Sequence, residues 1–272
     1  MKKLMTVFLA SALLLAGCGS DKGEETDKKT AAPEVTKIKV ASVIPLMTDM
    51  LEIAKPLLVK DGIEMEIVVL SDNIQPNSAL ANEEVDANFF QHPQYMEMFN
   101  EENDASLVMI QPIYHATLGA YSLIHDSLDD LPDGAKVAVP NDPSNLARAL
   151  QLLEKGDLIT LKEGVGLEAT TKDIIENPKK LKFVEVDLLM LARSIEDVDL
   201  VIMLPAYAAP LGLTPSKDSL IDEGESEFPI SLVARENNKD SEAIQKLAEH
   251  LSGSEIRKFL EENYAETTTP AF

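Results

Sequence analysis

Two hydrophobic periods take turns along the chain. Residues 37–43, Lys-Ile-Lys-Val-Ala-Ser-Val, alternate in steps of two and predict a strand. Over 47–60 the apolar positions shift to Met47, Met50, Leu51, Ala54, Leu57 and Leu58, which is the spacing of one helix face. Gly62 ends that helix, and Pro56 inside it predicts a kink, because proline offers no N–H and its ring crowds the preceding turn. A strand over 64–70, a short helix over 76–82, a strand over 85–90, a helix over 93–100 and a strand over 106–110 follow. This is the alternation of an α/β domain with a largely parallel sheet.

The pattern then changes. Residues 115–124 form a longer extended segment, 129–134 a turn, and a second series opens. It predicts strands at 136–139, 182–186 and 199–203, with helices at 144–153 and 190–195 between them. Another extended segment, 229–235, leads to two amphipathic helices near 241–251 and 254–264. Two α/β series joined by two extended crossings predict two lobes. Lobe one comprises 37–120 plus 231–272, because the closing helices bring no strands of their own and must pack back; lobe two is 121–230. A ligand cleft is expected between the lobes, near strand C-terminal ends.

The N-terminus adds an address. Lys2 and Lys3 precede 4–15, apolar apart from Thr6 and Ser11, and then comes Leu15-Ala-Gly-Cys18. A charged start, a short apolar run and small residues before the cut describe a secretory signal over 1–17. The run falls short of the ~20 residues that span a bilayer. Leu-Ala-Gly-Cys closely matches the bacterial lipobox, which implies cleavage before Cys18 and acylation of that residue. Cys18 is the only cysteine, so no intramolecular disulfide is available; the plainer alternative is a small residue that ends an ordinary signal. Residues 18–36 are polar, carry mixed charges and read as a flexible tether.

Composition removes several functions. A formal net charge of −23 repels phosphate backbones and argues against nucleic acid, and against an electrostatic grip on anionic lipid. Tryptophan is absent, which excludes sugar recognition by stacked indoles. His92, His115, His125 and His250 form no pair with metal spacing, so no metal site is expected. No phosphate-binding glycine loop and no nucleophile elbow occurs, so no cofactor and no catalytic residue is assigned. Met47, Met50, Met96, Met98 and Met190 lie at helical positions and read as core filler.

Two stretches carry candidate chemistry. In Val139-Pro-Asn-Asp-Pro-Ser-Asn-Leu-Ala-Arg148 a strand ends in a polar turn that opens a helix. Asn141, Asp142, Ser144 and Asn145 can each cap it, and free N–H groups there favour an anion. The Arg148 fork could clamp a carboxylate, or it could be an ordinary surface arginine on a capped helix. In Phe89-Phe-Gln-His-Pro-Gln-Tyr95, two consecutive phenylalanines cannot both face one core, so one is expected in a cleft. Core packing with a capping histidine is the alternative.

Taken together, Asp72-Asn-Ile-Gln-Pro-Asn77, Val85-Asp-Ala-Asn-Phe-Phe-Gln-His92, Ala138-Val-Pro-Asn-Asp-Pro-Ser-Asn145, Ile174-Ile-Glu-Asn-Pro178 and Asp197-Val-Asp-Leu-Val-Ile202 resemble the methionine-binding lipoprotein (MetQ/NlpA) family of ABC importers. The resemblance runs in order along the whole mature chain. It implies a type II periplasmic-binding-protein-like fold, α/β and two-lobed. It also implies a monomeric, lipid-anchored receptor on the extracytoplasmic face of the cell membrane, which hands a small amino acid to an ABC permease and its ATPase. Phe90, His92 and Tyr95 match the family's aromatic wall, Arg148 its carboxylate clamp, and Asn145 belongs to the same site. The sequence departs from the family at four points. Ile74 precedes Gln75-Pro-Asn77 where the family has tyrosine, and Met203 and Ile230 (or Ser231) fall where it has asparagines. The first strand also runs into Ile44-Pro-Leu-Met47 rather than a Pro-His pair. Each lost polar partner of a charged group costs roughly 1–3 kcal/mol. The expected ligand is therefore methionine, with a different apolar carboxylate or a short peptide as the alternative. A cleft-based surface enzyme and an adhesion module are the readings from other classes.

Overall fold

A computed structural model describes residues 35–272, which form one compact unit. The signal segment, Cys18 and nearly all of the tether lie outside the described residues.

The first sheet grows from β1 (Thr36–Ser42), which pairs in parallel with β2 (Ile63–Val69) across helix α1 (Pro45–Lys60). Helix α1 buries Met47, Met50, Leu51, Ala54 and Leu58 and runs on unbroken through Pro56. Helix α2 (Gln75–Ala81) leads to β3 (Ala87–Gln91), buried at every position and parallel to β1. Helix α3 (Pro93–Asn103) leads to β4 (Leu107–Ala116), longer than the predicted 106–110 because it runs on through 111–114 into the first two residues of the expected extended segment.

The chain then crosses over. β5 (Gly119–Tyr121), β6 (Lys136–Pro140), β9 (Lys182–Val186), β10 (Leu200–Met203) and β11 (Ser219–Asp222) make a second sheet, in the order β11-β5-β10-β6-β9. Between them lie α4 (Pro143–Lys155), the two-stranded ribbon β7 (Thr160–Leu161) with β8 (Ile174–Glu176), and the short helices α5 (Leu191–Ser194), α6 (Pro205–Ala208) and α7 (Pro215–Asp218). β6 lies parallel to β9 and β10, as an α/β series requires.

β12 (Pro229–Arg235) returns to the first sheet, wedged antiparallel between β3 and β4. Helices α8 (Glu242–Leu251) and α9 (Ser254–Asn263) pack back on α1, and β13 (Thr268–Pro270) adds an edge to β4. The first sheet thus runs β13-β4-β12-β3-β1-β2. The two closing helices earn their place by amphipathicity: Ile244, Leu247 and Leu251 face inward on α8, Ile256 and Leu260 on α9. Two short segments, 117–118 and 223–228, connect the sheets. They lie side by side: Leu118 N–H donates to Glu223 Oε1 at 2.8 Å and Glu223 N–H to the Leu118 carbonyl at 3.0 Å.

Candidate functional site

The ends of β3 and β4 in one half face α4 and α6 of the other, and a cavity of about 40 Å³ lies between them. Phe90, His92 and Tyr95 form one wall, with Tyr114 and Ala116 from β4 and Ile230 from β12 beside them. Ile44 and Met47 close it at the start of α1. Asn145, Leu188, Leu204, Ala206 and Tyr207 come from the second half. No charged side chain lines it.

Pleating decides which phenylalanine enters. Adjacent strand residues point to opposite faces. Phe89, fully buried, meets Tyr114 edge-on with ring centres 6.2 Å apart, and Phe90 turns into the cavity, edge-on to Tyr95 at 5.8 Å. A buried amide network steadies the turn behind them. Asn77 Nδ2 donates to Gln91 Oε1 at 2.7 Å, and Asn88 Nδ2 to Asn77 Oδ1 at 2.8 Å.

His92 does two jobs. It caps α3, its Nδ1 accepting from Tyr95 N–H at 3.2 Å, so the ring proton belongs on Nε2, which faces Asn145 Oδ1 at 3.3 Å. Burial first, and the Arg148 charge second, push its pKa down to about 3. The imidazole is therefore a neutral wall of the cavity at any physiological pH. Tyr95 is pinned by its hydroxyl donating to the Asn73 carbonyl at 2.9 Å.

Asp142 caps α4. Its Oδ1 accepts from Asn145 N–H at 3.0 Å, from Asn145 Nδ2 at 2.9 Å and from Ser144 Oγ at 3.1 Å. That cap fixes Asn145 toward His92. Arg148, one turn on, is only 2% exposed and does not line the cavity. Its Nε donates to Glu223 Oε2 at 2.7 Å and Nη2 to Glu223 Oε1, a two-bond fork; Nη2 also reaches the Ala116 carbonyl at 2.8 Å and Ser226 Oγ at 3.1 Å. Phe228 lies under the guanidinium, 4.4 Å from ring centre to Cζ, and edge-on to His92 at 5.4 Å. The carboxylate that Arg148 holds is thus the chain's own, and the pair ties together the two segments that join the sheets.

Of the residues singled out in sequence, Phe90, His92, Tyr95, Asn145 and Ile230 come together around the cavity, with Arg148 directly behind it. Ile74 stands outside, 70% exposed at the cavity's mouth, because Asp72 turns the chain there to start α2. Met203 is a correction: it is fully buried in a separate apolar cluster with Tyr121 and Leu191, and its neighbour Leu204 faces the cavity instead. A register error of one residue turns a strand position to the opposite face. Sequence reasoning also missed Tyr207, Glu223 and Phe228. Among the described residues no group of three potential metal ligands occurs.

The model of the NlpA lipoprotein family matches residues 38–272. The D-methionine-binding lipoprotein MetQ of Salmonella typhimurium is 38% identical over 251 residues, covering 91% of this chain and 89% of that protein. A solved lipoprotein structure from Ruminococcus gnavus superposes with a TM-score of 0.83 at 38% identity, over 87% of this chain and all of the other. A nutrient-binding protein from Burkholderia cenocepacia, solved bound to methionine, gives 0.83 at 34% identity, over 86% of this chain and all of the other. Two facing sheets, two connections and a cavity between them are the two-lobed architecture of such binding proteins, and with the family model covering nearly the whole described unit, the chain belongs to the NlpA lipoprotein family.

Proposed function

We propose that this chain is the substrate-binding protein of an ABC importer, that it captures a small amino acid with an apolar side chain, methionine first, and that it presents this ligand to a membrane permease driven by an ATPase. The inner cavity carries the reading. Its aromatic and aliphatic walls, its neutral His92 and its lack of charge suit a thioether or aliphatic tail. The cavity is small, about 40 Å³, and its apolar lining suits an apolar tail. Phe90, His92, Tyr95 and Asn145 then contact the tail, with Ile230, Leu204 and Tyr207 shaping the chamber. The names of the relatives support methionine: one is a D-methionine-binding lipoprotein, another was solved with methionine bound.

In this reading lobe one (37–120 plus 231–272) and lobe two (121–230) close on the ligand about the two connecting segments. Cys18 carries the lipid that anchors a monomer at the extracytoplasmic face of the cell membrane. The protein binds and releases and performs no catalysis. Arg148, held by Glu223, favours a second reading as well, in which the ligand is a short peptide or another apolar molecule whose carboxylate is not gripped.

Native mass spectrometry of the purified protein tests both. A retained mass equal to methionine is the expected result; a peptide mass selects the second reading. Protein that carries no small molecule, and takes up neither L- nor D-methionine in calorimetry, overturns the proposal.

A further inference from the structure

Three tyrosines line the inner cavity, and their hydroxyls differ in what they meet. Tyr95 O–H donates to the Asn73 carbonyl at 2.9 Å. Tyr207, on α6, has the Asn73 side chain beside its phenol. Tyr114, on β4, is only 1% exposed, and its hydroxyl forms no hydrogen bond with any described residue. The residue is firmly held. Its backbone pairs with Ile230 of β12 and Pro270 of β13, and Phe89 meets its ring edge-on at 6.2 Å. A ring packed in this way has little freedom to seek a partner elsewhere.

Burial first, and then the phenols of Tyr207 and Tyr264, raise the pKa of Tyr114 above the ordinary tyrosine range. The group therefore keeps its proton and offers a neutral donor at any physiological pH. A buried hydroxyl without a partner is costly, and a phenylalanine would line an apolar chamber without that cost. The chamber thus presents a donor to whatever fills it. With an apolar tail in place, only a heteroatom within that tail can accept. A thioether sulfur accepts weakly, an ether oxygen accepts better, and a methylene does not accept at all.

We propose that Tyr114 is a specificity-determining residue: its hydroxyl donates to the heteroatom of a thioether-type tail, so that the chamber prefers methionine to an all-carbon tail of the same length. This rests on the reading of the inner cavity as the seat of the apolar tail. A pocket that sorts by apolar contact alone has no reason to favour sulfur over a methylene. A site with a buried polar group rejects the analogue that leaves this group unmet.

The test is calorimetric titration of the protein, unmutated and as Tyr114→Phe, with three amino acids of one shape. L-methionine, L-norleucine and O-methyl-L-homoserine carry sulfur, a methylene and oxygen at the same place in the tail. The unmutated protein is expected to bind L-methionine roughly 3- to 10-fold more tightly than L-norleucine. Tyr114→Phe keeps the ring against Phe89 and is expected to bring those two within about twofold of each other, with O-methyl-L-homoserine losing more affinity than either. L-norleucine binding the unmutated protein as tightly as L-methionine, or a preference that survives in Tyr114→Phe, overturns the role of the hydroxyl and leaves the inner cavity reading standing. If the variant does not fold, the ether decides the matter on the unmutated protein: binding tighter than that of L-norleucine supports the role, and weaker binding overturns it. Binding of none of the three takes both down.

Discussion

His92 and Arg148 stand on either side of one cavity wall and solve the same problem in opposite ways. Each is a titratable side chain buried almost completely. His92 gives up its charge: burial drives its pKa to about 3, and the neutral ring is satisfied by Tyr95 three residues on and by Asn145. Arg148 keeps its charge and imports a counter-ion, Glu223, from the far connecting segment. The difference is one of cost. An imidazole can be neutralised cheaply near pH 7, whereas a guanidinium cannot, so only the arginine needs a partner carboxylate. What results is a neutral ligand chamber with a charged bolt behind it.

The sharpest way to break this contrast is to remove the bolt. Glu223→Ala leaves a buried guanidinium unpaired and is expected to cost about 3–5 kcal/mol in urea unfolding. Replacing both partners, Arg148→Met with Glu223→Leu, is expected to recover most of that loss, because breaking a buried pair costs more than exchanging it for packing. A Glu223→Ala cost under about 1 kcal/mol would mean that Arg148 does not depend on it.

Next come the two phenylalanines. Phe89→Ala empties a packed core and is expected to cost roughly 3–5 kcal/mol. Phe90→Ala, with a face already on a cavity, is expected to cost less stability and more ligand affinity. Equal stability losses, with affinity untouched in both, would contradict the assignment of their faces.

The His92 side is tested by pH. The unfolded histidine titrates near ~6.5 and the folded one near about 3. Below pH ~6.5 the unfolded chain therefore binds the extra proton, and stability falls as pH drops, by roughly 1.4 kcal/mol per unit until about pH 3. His92→Asn is expected to lose that slope between pH 6 and 5, a range largely above carboxylate titration. Parallel pH profiles for the two proteins would refute a buried neutral ring. The smallest effect expected is that of Asp142→Ala, about 1 kcal/mol for the lost cap of α4, read from thermal melts.

The same contrast explains what was legible in the sequence. The α/β order, the helices α1, α3 and α4 and the closing pair α8 and α9 follow from local periodicity, which a linear reading detects. Phe90, His92 and Tyr95 lie within six residues on a strand–turn–helix, so spacing alone brings them together. Glu223 and Phe228 meet Arg148 from 75 and 80 positions away, and no periodicity signals such a meeting. Met203 and Leu204 show a finer limit: the run Leu-Val-Ile-Met-Leu is apolar on both faces, so its pattern does not say which residue turns to the cavity. β11 and β13 leave no legible signal, because four and three residues give too short a pattern to count. Helix α1 continues through Pro56, its buried face set against the first sheet and the closing helices.

The most direct test of the account fills the chamber. Ala206 lines the inner cavity on α6, and Ala206→Phe places a ring where the apolar tail belongs. Calorimetry with L-methionine is expected to give submicromolar, one-to-one binding to the unmutated protein and no measurable binding to the variant, at a melting temperature shifted by only a few degrees. Equal affinity in both proteins would place the ligand elsewhere and contradict the account.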